Sequence, residues 1–182
     1  MTDELVLIKE LQHTSTKEKA FKQLVNQYKE RLYWHIRKIV LVHDDTDDVL
    51  QNTFIKIYRN IDNFKNESKL FSWMYRIATN ESITYINKRA KERDISVDEY
   101  HQEAVTSLAD DHYFSGDYIQ LVLQKAIATL PQKQQIVFNM KYFEALKYDQ
   151  ISEILDTSVG ALKASYHHAT KKIEEFIKNH TD

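Results

Sequence analysis

The sequence predicts an all-α fold: two small helical domains joined by an acidic linker, the C-terminal one a helix-turn-helix. Three observations carry that expectation. The 182 residues include only two glycines and one proline, too little punctuation for the turns of a sheet. Apolar residues recur at steps of three and four along most of the chain, and no stretch sustains a strand's alternation. The periodicity lapses over residues 91–116, KERDISVDEYHQEAVTSLADDHYFSG, where Asp and Glu outnumber Lys and Arg by 7 to 2. The expected organisation is therefore a domain over 1–90, a linker over 91–116 that is partly disordered on its own, and a domain over 117–182.

The elements follow in order. Residues 3–12 suit a short helix carrying Leu5, Val6, Ile8 and Leu11. A longer helix runs from Thr16 to about Val42, with Phe21, Leu24, Val25, Tyr28, Leu32, His35, Ile36 and Ile39 inward. Its Lys22, Lys29, Arg31, Arg37 and Lys38 read as a solvated face. His43-Asp44-Asp45 marks a turn. Thr46 then caps a helix whose first turn holds Asp47 and Asp48, where acids complement the dipole. Leu50, Phe54, Ile57 and Ile61 are its expected buried stripe, and Asp48, Gln51, Ile55 and Tyr58 its reverse face. An apolar residue and an aromatic beside Gln and Asp fit a protein-contact surface more than a purely solvated one.

The next segment, Asp62 to Lys69, is polar and irregular, with Phe64 set among polar neighbours. A helix follows from about Leu70 to Ala90. One stripe of it carries Trp73, Arg76, Ile77, Asn80, Thr84, Asn87 and Lys88, while Met74, Tyr75, Ile83 and Ile86 point toward a core. Aromatics beside amides and lysines can hold unstacked bases, because every base has a π-face and every phosphate needs a cation. The plainer alternative is that Trp73 is core. Helices resume at Asp117 with Ile119, Leu121, Val122, Leu123, Ile127 and Leu130. Pro131 opens another, at a position that tolerates proline, with Ile136, Val137, Met140, Tyr142 and Phe143 as its apolar side.

The stretch Lys147–Phe176, KYDQISEILDTSVGALKASYHHATKKIEEF, reads as two helices joined by a tight turn. Ile151, Ile154 and Leu155 mark the first. Ser158 is a good N-cap for the second, whose stripe is Val159, Leu162, Tyr166, Ala169, Ile173 and Phe176. Its opposite face offers Gly160, Ala161, Ala164, His167, His168 and Lys171, with Lys163 on the flank. Small residues first and basic ones further along suit a helix entering a DNA major groove. An ordinary helical hairpin closing a bundle is the alternative.

Several functions are excluded or disfavoured. No cysteine is present, so disulfides and cysteine-ligated metals are ruled out. No apolar run reaches the roughly 20 residues of a membrane helix, and the N-terminus is not a secretory signal. A soluble, cytoplasmic protein is expected. No glycine-rich phosphate loop and no H-E-x-x-H occurs. His167 and His168 are adjacent, and neighbouring helical side chains diverge by about 100°, so they cannot share one metal ion. Neither catalysis nor a cofactor is expected. Net charge is −2, but residues 1–90 carry 15 Lys and Arg against 12 Asp and Glu. DNA binding by such a chain would be weak without a partner that supplies affinity.

Taken together, three blocks resemble the extracytoplasmic-function (ECF) group of bacterial RNA polymerase sigma factors over roughly residues 16–178. They are AFKQLVNQYKERLYWHIRKIV, then DTDDVLQNTFIKIYRNIDNFKNESKLFSWMYRIATNESITYINKR, then LPQKQQIVFNMKYFEALKYDQISEILDTSVGALKASYHHATKKI. The resemblance implies a sigma factor that binds core polymerase and directs promoter-specific initiation. It implies polymerase contacts at Asp47, Asp48, Gln51, Phe54, Ile55 and Tyr58, docking on the β′ clamp helices. It implies capture of the melted −10 element by Phe64, Lys65, Asn66, Ser68, Lys69, Trp73, Arg76, Asn80, Thr84 and Lys88. It implies duplex −35 contacts at Ser158, Gly160, Ala161, Lys163, Ala164, His167, His168 and Lys171.

Core RNA polymerase, including its β flap, and promoter DNA are the partners implied for a monomeric protein, with an anti-sigma factor, often membrane-anchored in relatives, as a further one. The linker would thread toward the polymerase active centre. Two departures stand out. Relatives often open the recognition helix with Thr-Val-Lys-Ser-Arg and place an arginine three residues later, where this chain has Ala161-Leu162-Lys163-Ala164-Ser165 and His168. Thr84 and Asn87 likewise replace a common aspartate and a common basic residue. Arginine is the strongest bidentate guanine reader, so the promoter sequence does not transfer from relatives. A free-standing helix-turn-helix regulator and a helical enzyme or adaptor are the competing readings.

Overall fold

The structure, a computed structural model, describes residues 3–107 and 118–180. Among these it contains nine α-helices and no strand. The helices are α1 (Asp3–Leu11), α2 (Lys17–Val40), α3 (His43–Asn60), α4 (Leu70–Glu92), α5 (Val97–Ser107), α6 (Tyr118–Ala128), α7 (Gln132–Tyr142), α8 (Tyr148–Leu155) and α9 (Val159–His180), with a 3-10 turn over Ile61–Asn63. The restart expected at Asp117 and the linker residues 108–116 lie outside the described residues.

The N-terminal domain packs α1, α3 and α4 against the long α2. Leu24, Leu32 and Ile36 of α2 meet Val49 and Ile57 of α3 and Met74, Ala78 and Ile86 of α4. Helix α1 contributes Leu7, Ile8 and Leu11, whereas Leu5 and Val6 face outward. In the C-terminal domain α6, α7 and α9 share a core of Ala126, Ile127, Leu130, Phe138, Ala169 and Ile173. Apolar side chains buried at this scale are the main stabilising term of a small helical fold. The domains also meet: Ile151, Ile154 and Leu162 extend the N-terminal core, because α8 lies against α4.

Four expectations are corrected. Helix α3 starts at His43, so Thr46 is no cap. It is buried, and its hydroxyl donates to the Val42 carbonyl at 2.6 Å. The inward stripe is Thr46, Val49, Thr53 and Ile57, turned from the expected one. Thr53 donates likewise to Val49 (2.8 Å), and this back-bonding satisfies hydroxyls inside a core. In α2, Arg37 is buried and Lys38 half-buried, and α7 packs on this end of the helix. The Asn139 amide donates to the Lys38 carbonyl at 3.1 Å, and the Lys38 ammonium sits 5.9 Å from the Phe143 ring. Burial lowers the Lys38 pKa, opposed by Glu144. Tyr142 and Phe143, expected on the apolar side of α7, are exposed, because they fall past the turn that faces α9.

The fourth correction concerns the linker. Its first residues complete α4, and Val97–Ser107 form α5. Ser96 and Glu99 make a reciprocal cap: the Ser96 N–H donates to the Glu99 carboxylate at 2.7 Å and the Glu99 N–H to the Ser96 hydroxyl at 3.1 Å. Tyr100, His101, Ala104 and Val105 are buried. The Tyr100 hydroxyl donates to Asp45 at 3.2 Å, tying α5 to the start of α3. Burial pushes the His101 imidazole below its usual range, opposed by the Ile39 carbonyl and Asp98.

Candidate nucleic-acid interface

The hairpin of α8 and α9 has helix-turn-helix geometry. Asp156 ends α8 in the left-handed conformation (φ 50°, ψ 48°), which a short polar side chain tolerates better than most. The Ser158 hydroxyl accepts from the Ala161 N–H at 3.3 Å and caps α9. Leu162, Ala169 and Ile173 are buried, and Tyr166 stacks on Phe138 with ring centroids 5.7 Å apart. The opposite side is open: Ser158, Gly160, Ala161, Lys163, Ala164, His167, His168 and Lys171 are all exposed. A Cβ placed on Gly160 would meet nothing within 4 Å. Lys163 leans toward the Tyr148 ring, its ammonium 5.8 Å from the centroid.

The second region is built from the loop after α3 and the first turns of α4. Phe64 is buried and its ring lies 5.1 Å from that of half-buried Trp73, centroid to centroid. The two rings floor a cavity of about 440 Å³ lined also by Asn63, Lys65, Glu67, Ser68 and Arg76. A cavity of that size admits a nucleobase, and its lining offers a π-face, cations and amide or carboxylate partners for a base edge. Phe64, Lys65, Ser68, Trp73 and Arg76 are thus brought together. Asn66 and Lys69 are exposed on the loop, Asn66 with a left-handed backbone (φ 59°), and do not line the cavity.

The rest of that residue set lies apart. Asn80 borders a different cleft. Thr84 and Lys88 are further along α4 and border a groove with Asp48 and Gln51 of α3. On α3 the acidic and apolar residues divide. Asp47, Asp48, Gln51 and Ile55 are exposed. Phe54 and Tyr58 are half-buried and turn onto α2: the Phe21 ring lies 6.2 Å from Phe54 and 4.9 Å from Tyr58.

Residues not singled out by the sequence complete the loop. Gln12, from the end of α1, donates through Nε2 to the carbonyls of Ile61 (3.0 Å) and Phe64 (2.9 Å). The Leu70 N–H, at the start of α4, donates to the Glu4 carboxylate at 3.1 Å. Lys17 pairs with Asp62 at 2.6 Å. No local pattern announces these contacts, because each joins residues 45 to 66 positions apart.

The two regions face one another. The Ser72 hydroxyl donates to the Glu153 carboxylate at 2.6 Å, and the Arg76 guanidinium donates to the Glu153 carbonyl. Between α4 and the hairpin lies a cleft of about 540 Å³ bordered by Arg76, Asn80, Ile83, Lys133, Ala161 and Ser165 among others. A second bridge runs through buried His35, whose Nδ1 is 2.9 Å from Glu144 and whose Nε2 is 2.8 Å from the Thr79 hydroxyl. Among the described residues no group of three or more His, Asp or Glu could hold a metal ion, and no helix is long and apolar enough to cross a membrane.

Both regions fall in segments that match known protein families. The profile of sigma-70 region 2 matches residues 24–92, and that of sigma-70 region 4 matches residues 120–173. The chain is 30% identical over 168 residues to the ECF RNA polymerase sigma-E factor of Haemophilus influenzae, covering 88% of each chain. It is 29% identical over 169 residues to the ECF RNA polymerase sigma factor SigW of Bacillus subtilis, covering 88% of this chain and 90% of that one. Among solved structures, CnrH in complex with the cytosolic domain of CnrY shares the fold with a TM-score of 0.71 at 18% identity, over 97% of this chain and 98% of that one. RpoE of Bartonella quintana, solved with the anti-sigma factor NepR, gives 0.66 at 20% identity, over 88% of this chain and 98% of that one. With region 2 followed by region 4, and the observed helix-turn-helix falling in the region 4 match, the chain belongs to the ECF RNA polymerase sigma factors, the subunits through which RNA polymerase starts transcription at chosen promoters.

Proposed function

We propose that residues 1–90 dock on core polymerase and capture the melted −10 element, that residues 117–182 read the −35 element as duplex, and that residues 91–116 connect them. The observation that carries this division is the cavity under Trp73 and Phe64. It is sized and lined for an unstacked base and lies within the segment matching region 2. Asp47, Asp48, Gln51 and Ile55 form the exposed part of the polymerase contact, with Phe54 and Tyr58 as its half-buried base against α2. A base leaving the stack enters beside Trp73, its backbone meeting Lys65, Lys69 and Arg76, with Asn80, Thr84 and Lys88 tracking the strand along α4. The exposed face of α9, from Ser158 to Lys171, enters the major groove. No covalent step belongs to the chain, and it works in the cytoplasm, where polymerase is.

Reading both elements requires the domains to part. The two elements lie about 25 base pairs apart, or about 85 Å along duplex DNA, whereas here Arg76 touches α8 directly. The arrangement is therefore that of the chain away from promoter DNA. An anti-sigma factor is a further proposed partner, by the likeness to RpoE, which was solved with one.

The test mixes the protein with core polymerase and a library of promoter fragments and sequences the transcripts. Initiation at a shared pair of motifs, dependent on this protein, is expected. Tight duplex binding without polymerase and no initiation would replace this reading with that of a free-standing regulator.

A further inference from the structure

Helix α1 lies before residue 24, where the match to region 2 begins, and no role attaches to it. It does more than fill the core. From its C-terminal end Gln12 donates to two carbonyls, one on each side of the Asp62–Asn63 turn. From its first turn Glu4 accepts the N–H of Leu70, the first residue of α4. Lys69, at the N-cap position, makes no side-chain cap, so Glu4 supplies both the acceptor and the negative charge that the start of α4 needs. One rigid helix thus grips the loop at its entry and at its exit. Its own seat is firm, since Leu7, Ile8 and Leu11 are buried.

The segment between those grips is the one that needs holding. Residues 64–69 have no regular structure, and Asn66 holds a left-handed backbone, yet Phe64, Lys65, Glu67 and Ser68 line the base-sized cavity. A loop left to itself samples many arrangements, and a binding site pays for that on ordering. The Phe64 carbonyl held by Gln12 belongs to the residue whose ring floors the cavity against Trp73. We infer that Gln12 and Glu4 are positioning residues for −10 strand capture, acting through the backbone of the 61–70 loop without touching DNA. This rests on the −10 assignment above and adds to it the element that fixes the cavity's shape.

The test compares Gln12→Glu, which keeps size and removes both donor hydrogens, with Gln12→Arg, which keeps donors in reach. Each full-length variant is assembled with core polymerase. A promoter selected in the transcription experiment serves as probe, made as a fork with a single-stranded −10 element. Gln12→Glu is expected to weaken fork binding about tenfold, the scale of two lost hydrogen bonds, and to flatten discrimination among bases in the single-stranded part. Its affinity for core polymerase and for a −35 duplex stays within about twofold, and Gln12→Arg restores most of the loss. Unchanged fork binding overturns the inference. So does a uniform fall in fork binding, polymerase binding and thermal midpoint, which marks α1 as a brace only. Trp73→Ala in the same assay keeps the outcomes apart. If it too leaves fork binding intact, the −10 assignment itself has failed. If it abolishes binding while Gln12→Glu does nothing, only the role of α1 falls.

Discussion

The two regions proposed to face DNA are built on opposite plans. The N-terminal one is a concavity: two aromatic rings, two cations and several polar groups line an open-sided space of base size, and contacts from a distant helix hold its loop. The C-terminal one is a bare convex face, with Gly160, Ala161 and Ala164 at its start and no arginine. A concave site lets a few side chains stack on a base and discriminate by fit. A convex face discriminates only through what it projects into the groove. If the proposed sites hold, the difference teaches that the melted strand carries most of the sequence-dependent energy, while the duplex contact sets register.

That contrast can be broken most decisively at Trp73. Trp73→Ala is expected to lower open-complex formation tenfold or more, since stacking a base on an aromatic contributes roughly 1–3 kcal/mol. Polymerase binding stays near normal in a co-sedimentation assay, and circular dichroism shows the fold retained. Unfolding would make Trp73 a core residue and remove the site.

Glu153 is where the two regions meet. Glu153→Ala removes the acceptor of the Ser72 hydroxyl and leaves in place the bond from Arg76 to the backbone carbonyl of residue 153. Binding of a fork probe by the free chain should strengthen about threefold, as expected for loss of one charge-assisted hydrogen bond that competes with DNA. No gain in fluorescence anisotropy titration would mean that the contact does not compete with the strand.

On the convex face, Lys163→Ala should weaken promoter binding about threefold and reduce the slope of log affinity against log salt by about 1. An unchanged slope would remove Lys163 from the phosphate contacts. The smallest effect belongs to Gly160→Ala. The new methyl meets open space, so helix propensity should raise stability by about 0.5–1 kcal/mol, read as a higher thermal midpoint. A drop would show that the backbone there needs glycine.

Much of this was legible in the sequence because it depends on local period. The α8–α9 hairpin, the Ser158 cap and the buried Leu162, Ala169 and Ile173 are where spacing puts them. The bounds of α4 differ only by its extension to Glu92. What escaped depends on partners. Lys38 looked solvated because its cover, α7, lies about a hundred residues on. Helix α5 escaped because acidic composition masked it, although Ser96-x-x-Glu99 carries the signature of a helix start. In α3 the two buried threonines mislead any reading by hydropathy, since their hydroxyls are satisfied inside the helix. The cavity's rings were visible as a pattern, but Gln12 and Glu4, which hold its rim, were not.

The open space around Gly160 has a consequence for change over generations. Its two exposed neighbours on the recognition face, Ala161 and Ala164, are small as well, and the core of the hairpin hangs on Leu162, Ala169 and Ile173 instead. On the proposed assignment, a side chain grown at 160, 161 or 164 projects toward DNA without disturbing that core. Such a face is a blank key: new −35 preferences can be cut into it one codon at a time, while the concavity around Trp73, whose walls are shared with the domain core, stays under the discipline of folding.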